Sequence, residues 1–158
     1  ANLYVTDIKK DIVERAVNDF TANAVDPDEI YEVECDVFAP CAMGAIINDF
    51  TVDKLKCKIV AGSANNQLDN VEHGEILKDK GILYIPDFVI NSGGVINVYE
   101  EMKGYDKDRA MARAATIYDS VKQIIEISKR EDISTNMAAE RMAQDRIEKI
   151  GKVGNIYL

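Results

Sequence analysis

KIVAGSANNQL, Lys58 to Leu68, joins a short β-branched run to a loop built almost entirely from small and amide-bearing residues. Lys58–Gly62 has the length of one buried strand, and the loop behind it carries no charge before Asp69. Three more runs of this character stand in the chain: Asn2–Asp7 (NLYVTD), Cys35–Pro40 (CDVFAP) and Leu83–Asp87 (LYIPD). Taken in order, the four runs start 33, 23 and 25 residues apart. That spacing leaves room for a crossover after each strand and predicts right-handed βαβ units in one parallel sheet.

The intervening segments read as helices. Ile8, Ile12, Ala16 and Phe20 recur every fourth residue with Val13 and Val17 beside them, which makes one apolar face. A short helix is expected over Asp53–Lys56 and a longer one over Val71–Lys80, terminated by Gly81. Beyond Gly94 the pattern becomes helical. Asp106 caps a long helix whose apolar stripe is Met111, Ala114, Ala115, Tyr118, Val121, Ile124 and Ile125 and which ends near Arg130. A last helix is expected over Thr135–Ile150, with Ala139, Met142, Ala143 and Ile147 inward and Gly151 just past its end. With no repeat and no Pro/Gly-rich linker, residues 1–158 read as a single α/β unit closed by C-terminal helices.

Composition narrows the function classes. Of 158 residues, 47% are hydrophobic and 30% charged, enough for one core. The net charge is -9 with basic and acidic residues interleaved, so the positive stripe that a nucleic acid requires is missing. No apolar run approaches the roughly 20 residues of a membrane span, and the N-terminus lacks the pattern of a signal peptide. A soluble, cytoplasmic chain with neither nucleic-acid nor membrane partners is expected. The three cysteines, Cys35, Cys41 and Cys57, are odd in number and lack CxxC spacing, which indicates neither a disulfide framework nor a metal site.

Three loops follow the expected strands: Ala39–Ala45 (APCAMGA), Ala61–Leu68 (AGSANNQL) and Pro86–Val98 (PDFVINSGGVINV). In a parallel sheet all three leave the carboxyl edge, where ligands bind. Ala, Gly and Ser let a flat ring or a ribose approach the backbone, while Asn65, Asn66 and Asn91 each donate and accept hydrogen bonds. The layout suits an uncharged, amide-bearing ligand such as nicotinamide.

APCAMGAIIND, KIVAGSANNQL and IPDFVINSGGVINVYEE, in this order, resemble the cofactor domain of the amino acid dehydrogenases acting on glutamate, leucine, phenylalanine and valine. The similarity is greatest to members that act on leucine, and it runs from Asn2 to about Ile150. It implies a Rossmann-like, doubly wound parallel sheet that the chain enters at its second strand. The first strand and its glycine-rich phosphate loop then lie outside the sequence, as does the N-terminal domain that carries the family's catalytic lysine and aspartate. By this resemblance the chain contains no catalytic residue of its own.

The resemblance also implies roles for particular residues. Asp7, with Ile8 beside it, matches the carboxylate on the adenosine ribose hydroxyls, a contact that favours NAD over its 2'-phosphorylated form. An aspartate after a strand is otherwise commonly a helix N-cap. Cys41 and Ala42 match a place where the backbone touches the cofactor; no histidine stands near Cys41 in sequence to make it a nucleophile. Ala64 and Asn65 match the segment facing the nicotinamide riboside, and Asn91 a position close to the nicotinamide. Gly93 and Gly94 match the glycine pair that passes both nicotinamide and amino acid. Val95 and Val98, on one helix face, would wall the substrate side chain. Glutamate enzymes carry a serine at the position of Val98; valine offers a distal carboxylate no hydrogen bond, so an aliphatic substrate is expected. His73 reads as solvated surface, and Asn66 and Gln67 as loop structure.

The activity so implied is reversible NAD-dependent oxidative deamination of leucine and other branched-chain amino acids to 2-oxo acids and ammonia, in a homo-oligomeric parent enzyme. The 158 residues alone are expected to be inactive. A non-catalytic nucleotide-binding or assembly module is the alternative, and a generic α/β domain follows if Asn65 and Asn91 lie far apart.

Overall fold

The computed structural model describes the backbone of residues 1–154. Strand β1 (Tyr4–Val5), helix α1 (Lys10–Phe20) and strand β2 (Asn23–Ala24) come first. A 3-10 turn at Ile30–Glu32 leads to β3 (Cys35–Phe38) and β4 (Cys57–Val60). Helix α2 (Glu72–Asp79), β5 (Leu83–Tyr84), α3 (Asp87–Ile90), α4 (Gly93–Met102), α5 (Lys107–Glu131) and α6 (Thr135–Gly154) complete the order.

Among the described residues all strand pairings are parallel, as the crossover spacing requires, but they form two sheets instead of one. One pairs β1 with β2 and the other runs β3-β4-β5. Strand β2 has no sequence signature, since TANAV contains no apolar run; its pairing is made by the backbone, Asn23 N–H donating to Leu3 O (2.8 Å) and Val25 N–H to Val5 O (3.0 Å). Between β3 and β4 the helix expected at Asp53–Lys56 is replaced by turns. Asn48 Oδ1 accepts from Phe50 N–H (3.0 Å) and Thr51 Oγ1 from Asn48 N–H (3.1 Å), local bonds that compete with helix propagation.

The core lies against β3-β4-β5. Ile47, Val52, Leu55, Cys57, Val60, Leu77, Ile82 and Tyr84 are buried together, with Phe38 and Tyr31 packed at the edge. Helix α2 ends on Gly81 in the left-handed region (φ +73), with Ile82 N–H donating to Leu77 O, as the glycine predicts. Asp106 caps α5 by accepting from Arg109 N–H (2.9 Å). A second cluster joins Ile124 of α5 to Ala138 and Ala139 of α6. Glu100 of α4 is fully buried and paired with Arg109 and Arg113 of α5, which fixes α4 to that layer.

Three helical expectations need correction. The apolar face of α1 contains no buried residue, and Phe20 is 68% exposed, because two-residue strands cover too little of it. On α5, Met111 and Tyr118 are exposed, since the packed side of the helix is narrower than its apolar stripe. Helix α6 runs through Gly151, which it does not need as a terminator, and Ala143 and Ile147 face outward. A glycine in a helix costs only about 1 kcal/mol relative to alanine, so it need not end one.

Candidate functional site

The three loops meet on one rim at the carboxyl ends of β3, β4 and β5. Ala61 N–H donates to Phe38 O and Ala64 N–H to Pro40 O, both at 2.9 Å, so the β4 loop lies along the β3 loop. The approach is close enough to demand glycine: a Cβ on Gly62 would sit 2.0 Å from Pro40 O, and one on Gly44 2.7 Å from Asn65 O. Ala45 N–H donates to Asn66 O (2.6 Å) and Ile47 N–H to Gln67 O (3.0 Å). Ala45 and Asn66 both lie in the left-handed region, at φ +54 and +52. Gln67 is completely buried, its amide donating to Gly62 O (2.8 Å) and Ala64 O (3.0 Å), which folds the loop back on itself.

The third loop is attached by two side chains. Asp87, buried at the start of α3, accepts from Asn66 N–H through Oδ2 (2.6 Å) and from the Tyr84 hydroxyl through Oδ1 (2.9 Å). Burial, and then the neighbouring Asp87 carboxylate, push the Tyr84 phenol well above its usual value. Asn91 donates its amide to Asn65 Oδ1 (2.6 Å) and to Ser63 O (3.4 Å). The two asparagines are therefore neighbours, and the generic-domain alternative loses its premise.

Cys41, Ala42 and Gly94 are exposed on this rim, Ala64 is buried beneath it and Gly93 half-buried. A Cβ on Gly93 or Gly94 would meet nothing within 4 Å, so no internal packing asks for glycine there. Val95 and Val98 sit on α4 at 74% and 56% exposure, and neither belongs to the core. Val95 lines a shallow hollow with Ile96, Tyr99 and Arg113. Asp7 is apart from these loops at the end of β1; its Oδ1 accepts from Lys9 N–H (2.8 Å) and it is half-buried. The side chain caps a turn just ahead of α1, two residues before the helix N-cap position, Lys9. Ile8 beside it is 87% exposed.

A family model described as Glutamate/Leucine/Phenylalanine/Valine dehydrogenase matches residues 3–153. The chain belongs to that family. Leucine dehydrogenase of Thermoactinomyces intermedius is 56% identical over 158 residues, all of this chain and 43% of that protein. Leucine dehydrogenase of Bacillus subtilis (strain 168) is 51% identical over the same span. The crystal structure of L-tryptophan dehydrogenase from Nostoc punctiforme superposes with a TM-score of 0.91 at 48% identity, over 94% of this chain and 45% of that one. The fold is thus the Rossmann-type α/β unit found in that amino acid dehydrogenase. The chain spans less than half the length of the curated relatives it matches.

At two residues the structure departs from what the sequence suggests. His73 is buried, not solvated: it shares a face of α2 with Leu77, four residues on, and that face meets the core. Its Nδ1 accepts from Asn70 N–H (3.3 Å), which leaves Nε2 to donate to Asp49 Oδ1 (2.9 Å). Asp87 is the second, a rim residue to which the sequence reading gives no role. The available signal was a lone acid directly behind a buried strand, in three rim loops that hold no other carboxylate.

Proposed function

We propose that the chain is the cofactor-binding part of an NAD-dependent leucine dehydrogenase. The parent enzyme would convert L-leucine and other branched-chain amino acids reversibly to 2-oxo acids and ammonia. The hydrogen bond between Asn65 and Asn91 carries this reading, because it brings amide groups from two loops together at the carboxyl edge of a parallel sheet. The rim suits the ligand. Its only carboxylate, Asp87, is engaged inward, its exposed residues include the small or amide-bearing Ala42, Ser63 and Asn65 beside the apolar Met43 and Phe88, and the space at Gly93 and Gly94 is unused by packing.

Asp7 and Ile8 would hold the adenosine end, Asp7 by its remaining carboxylate oxygen on the ribose hydroxyls. Cys41, Ala42, Ala64, Asn65 and Asn91 would hold the nicotinamide end, the small residues by backbone approach and the asparagines by their amides. NAD supplies the hydride acceptor when bound. Gly93 and Gly94 would leave room for the amino acid, with Val95 and Val98 as the apolar wall that favours an aliphatic side chain. Proton transfer would fall to a lysine and an aspartate of a preceding catalytic domain, so the 158 residues would have no turnover alone. A further parallel strand, belonging to residues ahead of Ala1, would join the β1-β2 sheet to β3-β4-β5. The enzyme would be a cytoplasmic homo-oligomer, in keeping with three free cysteines.

The test is spectrophotometric. The full-length protein containing this chain should form NADH with L-leucine, and the isolated 158 residues should not. Saturable NAD binding by the full-length protein with no amino acid oxidation would favour a non-catalytic nucleotide-binding module instead.

A further inference from the structure

We propose that Asp87 is a positioning residue that sets the Asn65 loop for cofactor engagement, acting through the backbone of Asn66. The proposal rests on the dinucleotide reading given above. Asn66 is the bridge between the other two loops. Its N–H points to Asp87 Oδ2 (2.6 Å) and its C=O to Ala45 N–H (2.6 Å), so one residue's backbone ties the β5 loop to the β3 loop. That backbone is left-handed (φ +52), a conformation that asparagine tolerates better than most residues and that two short bonds, one on its N–H and one on its C=O, hold in place.

Asp87 supplies the hold. A bond to a charged acceptor is roughly twice as strong as a neutral one, and the acceptor itself, Asp87, is buried. Its second oxygen takes the hydroxyl of Tyr84, whose ring lies in the core at the end of β5. Asn65, one residue before the bridge, can then meet Asn91 at 2.6 Å. Asn65 and Asn91 are read as touching the cofactor; Asp87 fixes where they stand.

The experiment compares Asp87→Ala, Asp87→Asn and Tyr84→Phe in the full-length protein, by amide hydrogen exchange over residues 61–68 and by steady-state kinetics with NAD. Asp87→Ala is expected to speed exchange in that segment and raise KM for NAD, each by about tenfold, the scale of one lost hydrogen bond. Asp87→Asn keeps an oxygen for Asn66 N–H and should recover most of both effects. Tyr84→Phe keeps the Asn66 bond and should leave KM within about twofold of wild type, the effect of an energy change well under one hydrogen bond. A folded Asp87→Ala protein with unchanged exchange over 61–68, or with unchanged KM and kcat, would overturn the proposal. Should Asp87→Ala not fold, Asp87→Asn and Tyr84→Phe decide: a larger KM change in Tyr84→Phe than in Asp87→Asn would reject the route through Asn66. A wild-type protein indifferent to NAD would sink the functional reading instead, while the exchange data would still judge the bridge.

Discussion

Asn91 donates its side-chain amide to Asn65 Oδ1 across 2.6 Å, so two residues 26 positions apart present one continuous amide surface. Because both side chains lie at the surface, removing either should leave stability within about 0.5 kcal/mol of wild type. Asn65→Ala and Asn91→Ala are each expected to lower kcat/KM of the full-length protein for NAD, by about tenfold to a hundredfold, through loss of orientation at the nicotinamide end. Steady-state kinetics beside thermal melts test this. A matched fall in melting temperature would mean the pair is structural.

Gly93 and Gly94 open α4 without any neighbour that a methyl group would strike. Alanine there should stabilise the fold by about 0.5–1 kcal/mol, the helix-propensity difference. The same substitutions should depress amino acid oxidation if the space is kept for ligands. Denaturant unfolding and activity measured together give opposite signs under this account; improved stability with intact activity would remove both glycines from the site.

Gly62 is the contrary case. Its absent side chain leaves room for Pro40 O, which a Cβ would approach to 2.0 Å. Because the obstacle is backbone, Gly62→Ala should destabilise by at least about 1–3 kcal/mol, the usual cost of overpacking. Urea unfolding that shows no loss would mean that the two loops separate readily.

The Tyr84 phenol is held above its ordinary value of 10.0 by burial first and by Asp87 second. A raised folded-state value means that the protonated form belongs to the native protein. The contribution is whole below pH 10.0 and is lost as pH rises past it toward the folded value. Unfolding free energy should therefore fall more steeply above that pH in wild type than in Tyr84→Phe, by up to about 1.4 kcal/mol per pH unit. Identical alkaline slopes would show that the phenol ionises freely in the native state.

Cys41 is exposed, whereas burial raises the thiols of Cys35 and Cys57. A thiol reagent at neutral pH should modify Cys41 first, since attack needs access and the thiolate. In the full-length protein NAD should slow that modification. Labelling rates indifferent to NAD would take Cys41 and Ala42 out of the cofactor's footprint.

Much of this arrangement is legible in the residues themselves. The strand runs at Cys35, Lys58 and Leu83, the Asp106 cap and the Gly81 terminator all follow from local chemistry that needs no partner. What local chemistry misses depends on tertiary surroundings. Strand β2 is specified by backbone pairing with β1 and has no apolar signature. His73 is buried because α2 turns that face to the core, which no charge pattern around it reveals. Asp87 resembles any surface acid until Asn66 and Tyr84 are brought to it from 21 residues and 3 residues away.

The division into two sheets bears on how the 158 residues behave in a test tube. Both strands of the shorter sheet are edge strands, and Tyr4, Ile8 and Phe20 expose apolar surface beside it. A net charge of -9 should oppose the meeting of such edges between copies of the chain. That protection lapses as pH approaches the isoelectric point near 4.6. The isolated chain should accordingly be a colloid stable at neutral pH and low salt, and turbid in mild acid well before its core gives way.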